Sequence, residues 1–266
     1  MTSGSPRSAI PVPASILALA DGRPVRPVWV NERGGITFVI GSGRQRRFVK
    51  WAPAGSGIDL AAEAARLRWA ARFTPVPRLL GQGTDDTGSW LITRALPGQA
   101  AVARRWKAAP QIAVAAIGRG LRALHDALPV RDCPFSASAS QRLAGARRRA
   151  RQGLVDPARW HREHQHLSVP RALRLLSAIP PVDQLVVCHG DSCAPNTLLT
   201  GDGRWSGHVD LGALGVADRW VDLAIATWSA TWNYGPGWEP LLLSTYGVSP
   251  DPDRTRYYRL LYDLDP

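Results

Sequence analysis

Cysteine is scarce in this 266-residue sequence, with Cys133, Cys188 and Cys193 the only three. They form no CxxC pair, and an odd number cannot all pair within one chain. A disulfide framework or a zinc site is therefore not expected, and a reducing, cytoplasmic setting fits. Long apolar runs are also missing, which excludes a membrane-spanning helix. The apolar, small-residue stretch at 14–20 does not make a secretory leader, because a lone Arg7 and prolines at 6, 11 and 13 precede it. A short amphipathic element is expected there. Lysine is nearly absent: Lys50 and Lys107 are the only two among 33 basic residues. A bias toward arginine and alanine explains most of that count. Where a lysine is kept, a compact ammonium is the group the chemistry needs, since a guanidinium is a wide planar fork.

What is present is an ordinary globular composition, 45% apolar and 20% charged, without internal repeats or long low-complexity tracts. Global disorder is excluded. The formal net charge of +12 first points to nucleic acid or an anionic surface. Its distribution argues otherwise. Residues 1–179 carry a net +18, and residues 180–266 a net −6. A uniformly basic nucleic-acid binder would not end in an acidic third. The densest cationic run, Arg147-Arg148-Arg149-Ala150-Arg151, reads as a solvated helix face.

The pattern along the chain predicts an α+β protein. Segments 28–31, 36–40 and 47–51 read as consecutive strands, with turns at 32–35 and 41–43. Residues 59–73 are helical in composition. Segments 79–80 and 90–93 complete a small sheet across the turn-rich stretch 81–89. Leu96-Pro97-Gly98 is a breaker and marks a hinge. Beyond it the pattern is mainly helical, at 112–126, 138–152, 169–178 and 221–232, with short apolar strands at 185–188 and 207–209. The expected organisation is a small, mainly β lobe over residues 1–95 and a larger, mainly α lobe over 96–266.

The chemistry concentrates in Val186-Val187-Cys188-His189-Gly190-Asp191-Ser192-Cys193-Ala194-Pro195-Asn196 and in His208-Val209-Asp210-Leu211-Gly212. An apolar strand enters a loop of HxDxxxxN form, and a second strand ends in DxG. This spacing suits phosphoryl transfer: Asp191 accepts a hydroxyl proton, while the Asn196 amide and the Asp210 carboxylate hold Mg²⁺. Such transfer depends on positioning and charge neutralisation, which oxygen ligands on neighbouring loops supply. It also requires a strand lysine on the nucleotide phosphates, oriented by a helical glutamate. Lys50 lies in the strand after the glycine-bearing turns, and Glu63 follows thirteen residues later as the only acid in 60–73.

With these motifs assembled, the chain resembles the aminoglycoside phosphotransferases, antibiotic kinases with a protein-kinase-like, two-lobed fold. HGDxxxxN at 189–196, Val209-Asp210-Leu211-Gly212 and the DRxxDLA pattern at 218–224 carry the likeness from Trp29 to the C-terminus. Within the family it is most similar to the streptomycin 3″-phosphotransferases, through Asp132-Cys133-Pro134-Phe135 and the 188–196 loop. The resemblance implies that ATP is the phosphate donor and Mg²⁺ the cofactor. Asp191 is then the catalytic base, Asn196 and Asp210 bind the metal, and Lys50 paired to Glu63 holds phosphates. Backbone groups near Arg94 and Leu96 contact adenine. His189 and Asp222 support the catalytic loop, and Asp218 caps a helix. Asp263 and Asp265 in the tail bind a polycationic drug. The chain departs from the family in its Gly34-Gly35 turn, which is shorter than the usual phosphate loop.

The implied reaction is phosphorylation of streptomycin at its 3″-hydroxyl by a monomer or weak oligomer, with no nucleic acid or membrane partner. One alternative keeps the chemistry and changes the acceptor, to a 3′-hydroxyl of another aminoglycoside or a small metabolite. A different-class alternative is a polyanion binder using the arginines between 142 and 174. Trp228 and Trp232, one helical turn apart, are expected to pack in the core.

Overall fold

The computed structural model describes Gly4 and residues 10–265 of the chain. They divide into two compact units, Met1–Pro97 and Gly98–Pro266. The first contains helix α1 (Ala14–Ala20), strands β1 (Val25–Val30), β2 (Ile36–Ile40) and β3 (Arg47–Pro53), helix α2 (Leu60–Ala70), and strands β4 (Leu79–Asp85) and β5 (Gly88–Arg94). The strands form an antiparallel sheet in the order β1-β2-β3-β5-β4.

Strand periodicity sorts this sheet's side chains to two faces. Phe38, Ile40, Val49 and Ile92 bury together with Ile16 and Ala20 of α1. The apolar stretch near the start of the chain is thus part of this unit's core. Lys50, next to Val49 along β3, is turned to the opposite face, where it meets α2. Asp59 caps α2 by accepting the Ala62 N–H at 2.8 Å. The stretch 81–89 differs from the sequence expectation, because β4 runs on to Asp85 and forms a hairpin with β5. The reason is packing: a Cβ on Gly83 would lie 2.5 Å from the Trp90 ring, so the glycine makes room for the indole within a strand. The turn itself is held by Asp85 Oδ1, which accepts from Thr87 N, Thr87 Oγ1 and Gly88 N.

The second unit contains β6 (Gln99–Ala100), α3 (Arg104–Lys107), α4 (Pro110–Ala127), α5 (Ala139–Arg151), α6 (Val169–Leu176), β7 (Leu185–Cys188), β8 (Thr197–Leu199), β9 (Trp205–His208), β10 (Gly215–Asp218), α7 (Trp220–Tyr234), α8 (Glu239–Tyr246) and α9 (Pro252–Leu264). Two small sheets, β10-β7 and β6-β8-β9, frame the loops that follow β7 and β9. Helix α7 is buried on every face from Trp220 to Ala230, as a helix apolar all round must be. Asp218 Oδ1 accepts the Trp220 N–H at 3.0 Å at the start of α7. Trp228 is 2% exposed, but Trp232 is 45% exposed, because α7 leaves the core after Ala230. The tail, read in sequence only as a set of candidate residues, is the 13-residue helix α9, capped by Asp251 through the Arg254 N–H. Among the described residues no helix is long and apolar enough to cross a membrane.

Candidate active site

In the first unit, Lys50 Nζ donates to both Glu63 oxygens, at 2.7 and 2.9 Å. Glu63 is only 6% exposed and lies in the first turn of α2. Both the ammonium and the positive end of the helix compensate its buried charge. The β2–β3 register sets Thr37 across from Lys50, so the turn between β1 and β2 leads directly toward the lysine's row. That turn is organised by Asn31 Oδ1, which accepts from Arg33 N at 3.0 Å and Gly35 N at 2.7 Å. At the end of β5, the Arg94 N–H donates to Arg78 O and the Ala95 N–H to Arg46 O. Pro97 has no N–H. Leu96 therefore carries the backbone donor in this segment that neither engagement consumes, and Arg94's own side chain is exposed.

In the second unit, β7 delivers His189, Gly190 and Asp191 into a loop fixed from several sides. Asp222 on α7 accepts the His189 N–H at 2.6 Å and the Gly190 N–H at 2.9 Å. The His125 Nε2 lies 2.9 Å from the same carboxylate, and His125 Nδ1 lies 2.8 Å from Tyr246 Oη. Burial disfavours the Asp222 charge, yet the hydrogen bond and charge of His125 hold its carboxyl below the ordinary value. His125, Cys188 and Asp222 come close enough together for metal ligands. Asp222 already serves three donors, however, and the Cys188 thiol, pushed up by burial, donates to Asp218 O at 3.3 Å. The trio is a hydrogen-bonded brace.

The loop's own residues complete the lock. Ser192 Oγ donates to Asp222 O at 2.6 Å, and the Ala194 N–H to Ser229 Oγ at 2.9 Å. His189 Nε2 lies 2.9 Å from Val209 O, a carbonyl that can only accept, so this nitrogen carries the proton. Its Nδ1 then accepts the Asp191 N–H at 3.2 Å. Gly190 has φ +86°, and a Cβ there would lie 2.3 Å from Ala213 O. No other residue satisfies both constraints. Asp191 Oδ2 accepts from Asn196 Nδ2 at 3.1 Å and Oδ1 from Tyr262 Oη at 3.0 Å, and the Cys193 thiol also hydrogen-bonds this carboxylate.

Asn196 and Asp210 are joined through the β8–β9 ladder. Thr197 pairs with His208, and the Val209 N–H donates to Asn196 O at 2.9 Å. Asp210, next in sequence, sits at φ +66°, a left-handed conformation that costs a non-glycine residue energy but that aspartate tolerates better than most. The donor set fits a hard divalent cation. The Asn196 amide spends its Nδ2 on Asp191, which leaves its oxygen as the ligand atom, and Asp210 adds a carboxylate.

The tail acids are engaged elsewhere in the second unit. Asp263 Oδ2 lies 2.6 Å from His164 Nδ1, and Asp263 Oδ1 accepts the His161 N–H at 3.2 Å. Asp265 Oδ2 lies 3.8 Å from Arg142 Nε. The structure thus brings His189, Asp191, Asn196, Asp210 and Asp222 together in one unit and Lys50 with Glu63 in the other. Asp263 and Asp265 tie α9 to α5 and to residues 161–164. His125, Ser229, Tyr246 and Tyr262 were not read from the sequence, because their partners lie far away along the chain. For Tyr262 the capping aspartate and Pro252 at the start of α9 were an available signal.

A family model described as "Phosphotransferase enzyme family" matches residues 33–258. An aminoglycoside 3′-phosphotransferase of Streptomyces fradiae is 40% identical over 219 residues, covering 79% of this chain and 81% of its own. A streptomycin 3″-kinase of Streptomyces griseus is 35% identical over 234 residues, covering 83% and 84%. The aminoglycoside phosphotransferase APH(3″)-Id of Streptomyces rimosus, solved with ADP and streptomycin, superposes with a TM-score of 0.77 at 30% identity, covering 94% of this chain and 97% of its own.

Proposed function

The chain belongs to the phosphotransferase enzyme family and, within it, to the aminoglycoside phosphotransferases, and we propose that it moves the γ-phosphoryl group of ATP to the 3″-hydroxyl of streptomycin. The observation that carries the chemistry is the Asp191 carboxylate, held by Asn196 on a loop whose backbone hangs on the buried Asp222. A base of this kind must be oriented before substrate arrives, because phosphoryl transfer is catalysed mainly by positioning and electrostatics.

In this reading Lys50, kept in place by Glu63, neutralises the nucleotide phosphates, and the Leu96 N–H faces the adenine edge. The acceptor hydroxyl donates its proton to Asp191 as its oxygen bonds to the γ-phosphorus. The bond from that phosphorus to the β,γ-bridging oxygen breaks, and ADP leaves with the electron pair. Asn196 and Asp210 would hold Mg²⁺, which when bound neutralises charge on the phosphates. Asp263 and Asp265, although engaged with His164 and Arg142, add negative charge to the second unit, opposite in sign to a guanidinium-bearing substrate. The product carries roughly −1.5 to −2 additional charges, which weakens a polycation's hold on anionic RNA and gives resistance. The need for ATP fits a cytoplasmic enzyme.

A second reading moves the phosphate to a 3′-hydroxyl of another aminoglycoside, and the 40% identity to the Streptomyces fradiae 3′-enzyme favours it. Regiochemistry separates the two. The protein is incubated with ATP, Mg²⁺ and a panel containing streptomycin and aminoglycosides with a 3′-hydroxyl, and the phosphate is located by NMR. Phosphate on the streptomycin 3″-oxygen supports the first reading. Turnover confined to 3′-hydroxyls replaces it with the second.

A further inference from the structure

We propose that Tyr262, on the C-terminal helix α9, is a positioning residue that fixes the plane of the Asp191 carboxylate for catalysis. The inference rests on Asp191 as the base and goes beyond it. Asp191 Oδ2 receives Asn196 Nδ2 at 3.1 Å, and Oδ1 receives Tyr262 Oη at 3.0 Å. A carboxylate rotates about its Cβ–Cγ bond over a broad, shallow profile, so one donor on one oxygen leaves its plane loosely set. Two donors of different origin, one on each oxygen, define it. The carboxylate has four lone-pair sites, so it accepts from Asn196, Tyr262 and the Cys193 thiol and retains one for an incoming hydroxyl.

Tyr262 is itself rigidly carried. Leu260, Leu261 and Leu264 of α9 are buried around it. Arg259 Nη2 donates to Glu239 Oε1 at 2.7 Å and to Thr227 Oγ1 at 3.1 Å. The Tyr257 hydroxyl is spent away from the loop, on Leu176 O at 3.0 Å. The Tyr262 hydroxyl is also 3.7 Å from the Cys193 thiol, whose loop position lies two residues past Asp191. Burial and the adjacent Asp191 charge push the phenol well above its ordinary value, so it remains a donor rather than a competing base. The final helix of the chain therefore bears directly on the residue that takes the proton.

The test compares Tyr262→Phe with Tyr257→Phe, which removes an equivalent hydroxyl from the same helix away from the loop, and with Asp191→Asn. Steady-state kinetics with ATP and the aminoglycoside that the wild type turns over, together with thermal melting, are measured for all three. Tyr262→Phe lowers kcat on the order of 10-fold, the range for losing one charge-assisted hydrogen bond, with both KM values within about twofold of wild type. Tyr257→Phe keeps wild-type kcat at a comparable melting temperature. A Tyr262→Phe enzyme with kcat within twofold of wild type, or one that loses only aminoglycoside KM, overturns the proposal. Asp191→Asn separates the two levels: its inactivity beside a fully active Tyr262→Phe removes Tyr262 alone, whereas an active Asp191→Asn removes the base on which the inference rests.

Discussion

The buried Asp222 carboxylate accepts the backbone N–H of His189 at 2.6 Å, across 33 residues of sequence. That contact is one of several that keep a short irregular loop in a fixed shape. Asp222 is fully buried and charged, and its donors are loop amides on one side and His125 on the other. The loop cannot move without leaving a buried charge unsatisfied, which is costly.

Asp222→Ala is therefore expected to cost about 3–5 kcal/mol of stability, the range for removing one partner of a buried pair. Denaturant unfolding measures it. Turnover of the folded fraction falls as well, because His189 and Gly190 lose their acceptor. An unchanged midpoint would show that the carboxylate does not brace the loop.

Lys50→Ala is expected to raise the KM for ATP by on the order of 10- to 100-fold, as loss of a hydrogen bond to a charged group implies. The KM for the aminoglycoside stays near wild type. Lys50→Arg does not restore the wild-type value, because the planar fork cannot reproduce a point charge held between Glu63 and a phosphate. Initial-rate kinetics with each substrate varied in turn decides this.

Asn196→Ala and Asp210→Asn are each expected to raise the Mg²⁺ concentration needed for half-maximal rate, and excess chelator to abolish turnover in the wild type. Titration of Mg²⁺ at fixed ATP reads both effects. Identical Mg²⁺ dependence in the variants and the wild type would remove these residues as metal ligands.

His208 is 1% exposed, and burial, followed by the neighbouring His189, lowers its pKa to about 3 from an unfolded value of 6.5. Between those values the unfolded chain binds a proton that the folded chain does not. Stability from this group is full above about pH 6.5 and falls as the pH drops, by up to about 1.4 kcal/mol per pH unit. Melting temperatures from pH 7 to pH 4 are expected to decline less steeply in His208→Asn than in the wild type. His161, whose pKa burial also lowers, adds to the slope that remains.

Legibility in the sequence followed the range of each interaction. Lys50 and Glu63 are thirteen residues apart on adjoining elements, so strand and helix patterns were enough to pair them. The HxDxxxxN spacing placed Asp191 and Asn196 in one loop, where they do touch. His125 and Asp222 are 97 residues apart, and Tyr262 and Asp191 are 71 apart. No local periodicity encodes such pairs, because burial in a common core creates them. The helix that carries Tyr262 is signalled locally only by Asp251-Pro252 at its start, and nothing local points from it to Asp191. The sequence pattern ends β4 early because Gly81 and Gly83 resemble turn residues, although Gly83 makes room for the Trp90 ring and Gly81 lies against Ile92.

Proton transfer to Asp191 is the central step of the proposed chemistry. Wild-type and Asp191→Asn proteins are mixed with ATP, Mg²⁺ and the aminoglycoside that the wild type turns over in a single-turnover experiment, with ATP binding measured in parallel. Phosphorylated aminoglycoside is expected from the wild type, with a rate lower by about 10²- to 10⁴-fold in the variant and ATP affinity unchanged within about twofold. Wild-type rates of phosphoryl transfer in Asp191→Asn would contradict that step.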